Sequence, residues 1–130
     1  MELIVAVDTS RIVGLLDPFG GPPWHGSRPF DPAEVREAIA AGDLHPSPIL
    51  ALDRVGMSRH VARIAWLIEH WRNDGTDAPQ LEVLQDGELV VNDGWHRLCA
   101  AAIRGDEQLL VDLSGFIDEA PDLLGVTEVR

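Results

Sequence analysis

The chain has no lysine and no tyrosine, and only one cysteine in 130 residues. A single cysteine excludes an internal disulfide. With no Cys-x-x-Cys or His-Glu-x-x-His pattern either, no zinc motif is present, and a reducing, cytoplasmic setting is the expectation. Long apolar runs are missing as well. Leu3 to Val7 is too short for a signal peptide or a membrane span, and acidic Glu2 stands where a signal peptide would carry positive charge. This reads as a soluble chain without membrane contact. Positive charge is scarce: ten arginines stand against 22 carboxylates, and the resulting −12 opposes non-specific attraction to nucleic acid. The imbalance is uneven. Arg54 to Arg72 holds four arginines against Glu69 alone, whereas Asp106 to Arg130 holds seven carboxylates and one arginine, so a basic patch fits inside an acidic protein.

What remains is enough for one domain, with 45% apolar residues to build a core and no internal repeat or low-complexity tract. Glu2 to Asp8 reads as a buried strand, and Arg11 to Leu16 as a second strand or a short helical turn. Four prolines and three glycines between Asp17 and Pro29 exclude regular structure there. A loop of that length suits a lid, with Trp24 and His25 closing over a ligand; the alternative is that Trp24 packs the loop onto the core. Asp31-Pro32-Ala33-Glu34 starts a helix with a capping box and ends it near Gly42, with Val35, Ala38 and Ile39 as its apolar stripe. Ile49 to Leu52 is expected as a strand with Asp53 at its end.

Ser58 is expected to cap a longer helix to about Asn73, in which Val61, Ile64, Ala65, Ile68 and Trp71 recur at helical spacing. Arg59, Arg63, Trp66 and His70 fall on another side. They are either part of an anion site or a solvated face. Leu81 to Gln85 and Glu88 to Asn92 flank Asp86-Gly87 and read as a hairpin with a two-residue type I′ turn. Leu109 to Leu113 is a last core strand, and Ile117 to Arg130 a loosely attached acidic tail or short helix.

Between hairpin and final strand lies the stretch with chemical content, Leu89 to Gly105, which runs strand, glycine turn, helix. Asp93 is placed to cap the helix, and Gly94 lets the backbone approach a ligand. The first-turn amides of Trp95, His96 and Arg97 face outward with the positive end of the helix dipole. Arg97 adds a fork of donors, so the turn suits an anion, most often a phosphate. For Arg97 the other reading is a pairing with a carboxylate or carbonyl. His96 either contacts phosphate or transfers a proton, or merely orients the turn. Cys99 shares a face with Trp95, Leu98, Ala102 and Ile103 and belongs to the core.

Asp93 to Ala101, with the hairpin before it and Gly105 and Leu109 to Leu113 after it, resembles the core of the ParB N-terminal and sulfiredoxin-like superfamily over roughly Ile49 to Phe116. The resemblance implies an α+β fold: a small mixed sheet whose hairpin feeds the Gly-x-His-Arg helix, packed by two or three helices. The chain then forms a single domain, with residues 1–48 as an N-terminal strand, loop and helix and 117–130 as a tail. Members use this turn to hold nucleotide phosphates. Sulfiredoxins carry their catalytic cysteine where Trp95 stands, so sulfinic acid reduction is not implied. CTP-binding ParB proteins carry a glutamate and an arginine at Trp95 and His96 and a further DNA-reading domain, so clamp loading on DNA is not implied either. ParB-like free serine kinases are closer in the turn, with histidine before arginine.

Two functions follow as expectations. The first is a nucleotide- or phosphate-binding protein, a phosphotransferase or NTP hydrolase, with Asp93, Gly94, Trp95, His96 and Arg97 on the phosphates. Arg59 or Arg63 assists, and His96 and Asp53 are the candidate catalytic groups. A bound nucleotide calls for Mg2+, with Asp93 and Asp53 the first carboxylates to consider for it, although neither lies in a metal-binding pattern. The second is a non-catalytic interaction module of the same fold that meets a basic protein partner.

Overall fold

In the computed structural model, which describes residues 3–24, 27–50 and 53–128, the chain forms one mixed sheet with helices packed on it. The strands are β1 (Ile4–Asp8), β2 (Gln80–Val83), β3 (Leu89–Asp93), β4 (Gln108–Gly115) and β5 (Thr127–Glu128), in the spatial order β3-β2-β4-β1-β5. The helices are α1 (Thr9–Leu16), α2 (Pro32–Ala41), α3 (Met57–His70), α4 (Trp95–Arg104) and α5 (Ala120–Leu124). Among the described strands only β2 and β4 run parallel, which requires a crossover, and β3 plus α4 provide it. The fold class is therefore α+β. No helix among the described residues is long and apolar enough to cross a membrane.

Sequence pattern accounts for most of this. Leu109, Val111 and Leu113 alternate along β4 and are buried, as are Leu81 and Val83 on β2, so one sheet face meets the helices. β1 lies between β4 and β5, and Val5, Ala6 and Val7 are all buried, as an interior strand covered on both faces requires. The α2 start is as expected: Asp31 accepts from the Ala33 amide at 2.8 Å, while Glu34 accepts from the Asp31 amide at 2.9 Å. Arg11 to Leu16, open between strand and turn in the sequence, lies in α1. Ile12 is fully buried, and Asp17 in the left-handed region ends the helix by donating its N–H to Val13 O.

Four expectations are corrected. α3 begins at Met57 behind Gly56, with no side-chain cap from Ser58, and ends at His70 rather than Asn73. Ile49 and Leu50 have no regular structure, and the rest of that expected strand lies outside the described residues. The hairpin turn has three residues, not two: Leu84 donates to Glu88 O at 2.8 Å and accepts from the Gly87 amide at 2.9 Å. This is the type I turn with a left-handed glycine that a third loop residue permits. The acidic tail is docked: Ala120 and Leu124 are buried, and β5 adds to β1.

One polar knot ties α3, α4 and β4 together. Arg104 donates to the α3-terminal carbonyls of Ile68 and Trp71 at 3.1 and 2.8 Å, its charge lies 5.5 Å from the Trp71 ring centre, and it forks onto Asp106 at 3.0 and 2.8 Å. Burial alone would raise the Asp106 carboxyl, yet hydrogen bonds from Arg104 and Asn73 hold it below its ordinary range. Arg104→Ala is expected to cost about 2 kcal/mol, because it strands half-buried acceptors at a helix end and removes a charged fork. Urea unfolding measures this, and a loss within about 0.5 kcal/mol of zero, as for an ordinary surface change, would contradict it.

Candidate functional site around the start of α4

Gly94 is the N-cap of α4, with φ 101°, ψ 24° and no side-chain cap. Its carbonyl accepts from the Leu98 amide at 2.9 Å. Among the described residues no side chain caps the first-turn amides before Leu98, at the positive end of the helix dipole. Two expectations change here. Asp93 does not cap the helix; its carboxylate instead takes Arg97 Nη2 at 3.2 Å. A Cβ on Gly94 would lie 2.8 Å from Pro79 Cα and 3.1 Å from Arg97 Nη2, so the missing side chain makes room for the protein's own proline.

Arg97 holds the corner from inside. Its side chain is 11% exposed; Nη1 donates to the backbone oxygen of Asp77 and, at 2.8 Å, to its carboxylate, while Nη2 reaches Asp93. Asp77 and Asp93 are themselves 72% and 67% exposed, so this buried guanidinium is balanced by carboxylates that remain in water. The pairing reading of Arg97 describes the protein as it stands. A solvent-screened carboxylate is also a partner that another oxyanion can replace at small cost.

Behind Arg97 lies a cluster that the sequence did not announce. His96 Nε2 and His60 Nδ1 are 2.9 Å apart, and the two rings are 17° from parallel. Trp24 lies flat against both, with its ring centre 4.1 Å from that of His96 and 4.4 Å from that of His60. His60 is 1% exposed and its Nε2 has no partner among the described residues. Burial, then the charges of His60, Arg63, Arg97 and His45, pushes His96 down to about 3, and burial lowers His60 too. Both rings are neutral at pH 7. Arg63 and Arg97, the permanent cations among these neighbours, oppose a proton on His96.

Loop placement completes the site. Trp24 is held by Phe30, which in turn meets Phe19 edge-on at 5.5 Å. Trp95 Nε1 donates to Pro18 O at 3.1 Å, fastening the Gly/Pro loop to α4. The loop thus packs onto the core through Trp24, and that same ring forms a wall of the cleft; His25 lies outside the described residues. Two adjoining clefts of about 250 and 280 Å3 share Ile49, Leu50, Asp93, Gly94 and His96. The first also holds Trp24, Asp53 and His60, the second Arg63, Asp77 and Arg97.

Of the expected site residues, Asp93, Gly94, Trp95, His96, Arg97, Asp53 and Arg63 converge here, whereas Arg59 faces a separate hollow beside Asp43 and Ser58. Asp53 spends its Oδ2 on the Leu50 amide at 2.8 Å, bracing the loop that crosses the site. Arg63 donates to Pro46 O at 2.8 Å and lies 5.0 Å from the Trp66 ring centre, and among the described residues no carboxylate hydrogen-bonds to it. Burial and the neighbouring Arg97 lower its basicity, the mark of two cations held close. Cys99 is fully buried and its thiol is pushed up by burial, so it is not a nucleophile. Residues missed by sequence reasoning are His60 and Asp77. His60 was findable: Met57, His60, Ile64, Leu67 and Trp71 step at helical spacing along the buried side of α3, and a histidine in such a row needs a reason. No family model, no curated protein and no solved structure matches the chain.

Proposed function

We propose that the chain binds a phosphate-bearing small molecule, a nucleotide above all, at the start of α4, and that its architecture is of the ParB N-terminal and sulfiredoxin-like kind. One observation carries this reading: an uncapped helix start opens between two joined clefts, with Arg63 and Arg97 on one side and a neutral His96 between them. Amides, two guanidiniums and an imidazole are the donors phosphate oxygens require. Turnover as a phosphotransferase or NTP hydrolase is the further step of the same proposal. The donors present fit Mg2+ only as a companion of the phosphates: Asp93 and Asp53 line one cleft, and the described residues contain no group of three or more metal-ligating side chains. Magnesium bound there would neutralise phosphate charge, and Asp93 is the carboxylate that both clefts share.

Titration with orthophosphate, ADP, ATP and CTP, with and without magnesium, tests the proposal by NMR shifts and heat stability. Arg63→Ala and Arg97→Ala are each expected to weaken binding about tenfold, the scale of one charged hydrogen bond. Asp77→Asn is expected to tighten it, because it frees Arg97 Nη1 from a competing oxyanion. No response of the wild-type protein to any of these ligands would end the proposal. A second reading, a non-catalytic module for a basic partner, draws on the carboxylates already paired with Arg97 and on the net charge of −12. A salt-sensitive complex with a basic protein that survives Arg97→Ala would favour it; turnover of any nucleotide would count against it.

A further inference from the structure

The His60–His96 contact admits two neutral arrangements, and burial separates them. If His96 Nε2 carried the proton, it would donate to His60 Nδ1, and the proton of His60 would sit on Nε2, buried with no acceptor among the described residues. If His60 Nδ1 carries the proton and donates to His96 Nε2, the atom left over is only a lone pair. A stranded N–H is the rarer defect in folded proteins. His96, neutral and accepting at Nε2, then carries its own proton on Nδ1. That nitrogen has no hydrogen-bond partner among the described residues and is absent from the buried unpartnered atoms, while His96 lines both clefts. Trp24, parallel to the two rings within 13°, keeps them in one plane and prevents the flip that would exchange the nitrogens.

We propose that His60 is a positioning residue: it pins Nε2 of His96 from inside the core so that Nδ1–H of His96 faces the cleft as a fixed, uncharged donor to a phosphate oxygen, with Trp24 clamping the pair. The donor role rests on the phosphate reading above; the pinned tautomer does not. Such a donor adds recognition without adding charge. The site therefore takes its ligand without gaining a proton on His96, and the pH dependence of binding above pH 6 is that of the phosphate itself.

The experiment is imidazole 15N NMR on ligand-free, 15N-histidine-labelled protein near pH 7.5, followed by orthophosphate titration. Wild-type His96 is expected to show a protonated Nδ1 and an unprotonated Nε2. His60→Asn places a carboxamide N–H where Nδ1 was, whereas His60→Gln places it where Nε2 was and leaves His96 without its donor. Asparagine is expected to keep the His96 tautomer and phosphate affinity within about twofold. Glutamine is expected to release the tautomer and to weaken phosphate about fivefold, one ordinary hydrogen bond. A His96 protonated at Nε2 in the wild type overturns the inference alone, even with normal phosphate binding. So does glutamine matching asparagine in both readouts. A pinned tautomer with no response of the wild type to orthophosphate, ADP, ATP or CTP removes the proposed function and the donor role together, leaving only the positioning.

Discussion

Gly94→Ala is expected to destabilise the protein by about 3 kcal/mol and to lower Tm by roughly 10 °C. Two costs add. At φ 101° any Cβ is strained, and here it would also stand 2.8 Å from both Cα and Cβ of Pro79. Pro79 cannot retreat, because its carbonyl accepts from the Asp112 amide of β4 at 2.9 Å. The third near neighbour of that Cβ is Arg97 Nη2 at 3.1 Å, so the same substitution presses on the Asp77 and Asp93 pairings that hold the guanidinium. Gly105 provides the control. Its φ is 86°, but nothing lies within 4 Å of a Cβ there, so Gly105→Ala should cost only the backbone strain, about 1 kcal/mol. Urea unfolding of both variants separates packing from conformation. Equal losses would mean that Pro79 yields, and that the tight turn before α4 is not what fixes Arg97.

This substitution also shows how far the sequence could be read. Strand, glycine turn and helix were legible from Leu89 to Gly105 because each signal is local: alternating apolar residues, a glycine, then helical spacing. The Asp31 cap and the β4 strand were legible for the same reason. What stayed hidden was long-range. Nothing near Gly94 in the chain says that Pro79 will occupy its Cβ space, and nothing near Arg97 names Asp77, twenty residues earlier, as its partner. Ile49 and Leu50 carry strand-like residues yet are spent crossing the clefts, with Leu50 67% exposed. His60 is the informative case, because its row along α3 was visible but its partner His96 lies on another helix. Helical spacing tells that a side chain is inside, not what it meets there.

Acid is expected to unfold the protein well before ordinary carboxylates titrate, through the same pair. A free histidine titrates near 6.5, and His96 in the folded protein is pushed down to about 3, by burial first and then by His60, Arg63, Arg97 and His45. The groups around it are Arg63 from α3, Arg97 and Asp93 at the start of α4, Asp77 beyond Arg97, and His45 and Asp53 on the crossing loop. Because the folded form holds the proton less tightly, the stabilising contribution is whole above pH 6.5 and is lost as pH falls from there toward 3. Each pH unit in that window removes about 1.4 kcal/mol through His96 alone, so pH 4.5 should cost about 2–3 kcal/mol relative to pH 7.5. His60, also lowered by burial, adds in the same direction. Protonating His96 at Nε2 sets an N–H against the Nδ1–H of His60 2.9 Å away, so the contact between the two rings under Trp24 should part first. Urea midpoints from pH 7.5 to 4.5, with Trp24→Phe identifying the indole signal, measure this. His96→Gln should flatten the slope by more than half. A wild-type midpoint unchanged down to pH 5 would show that the folded pair takes up protons as readily as the unfolded chain, and the buried, proton-resisting character given to His96 would go with it.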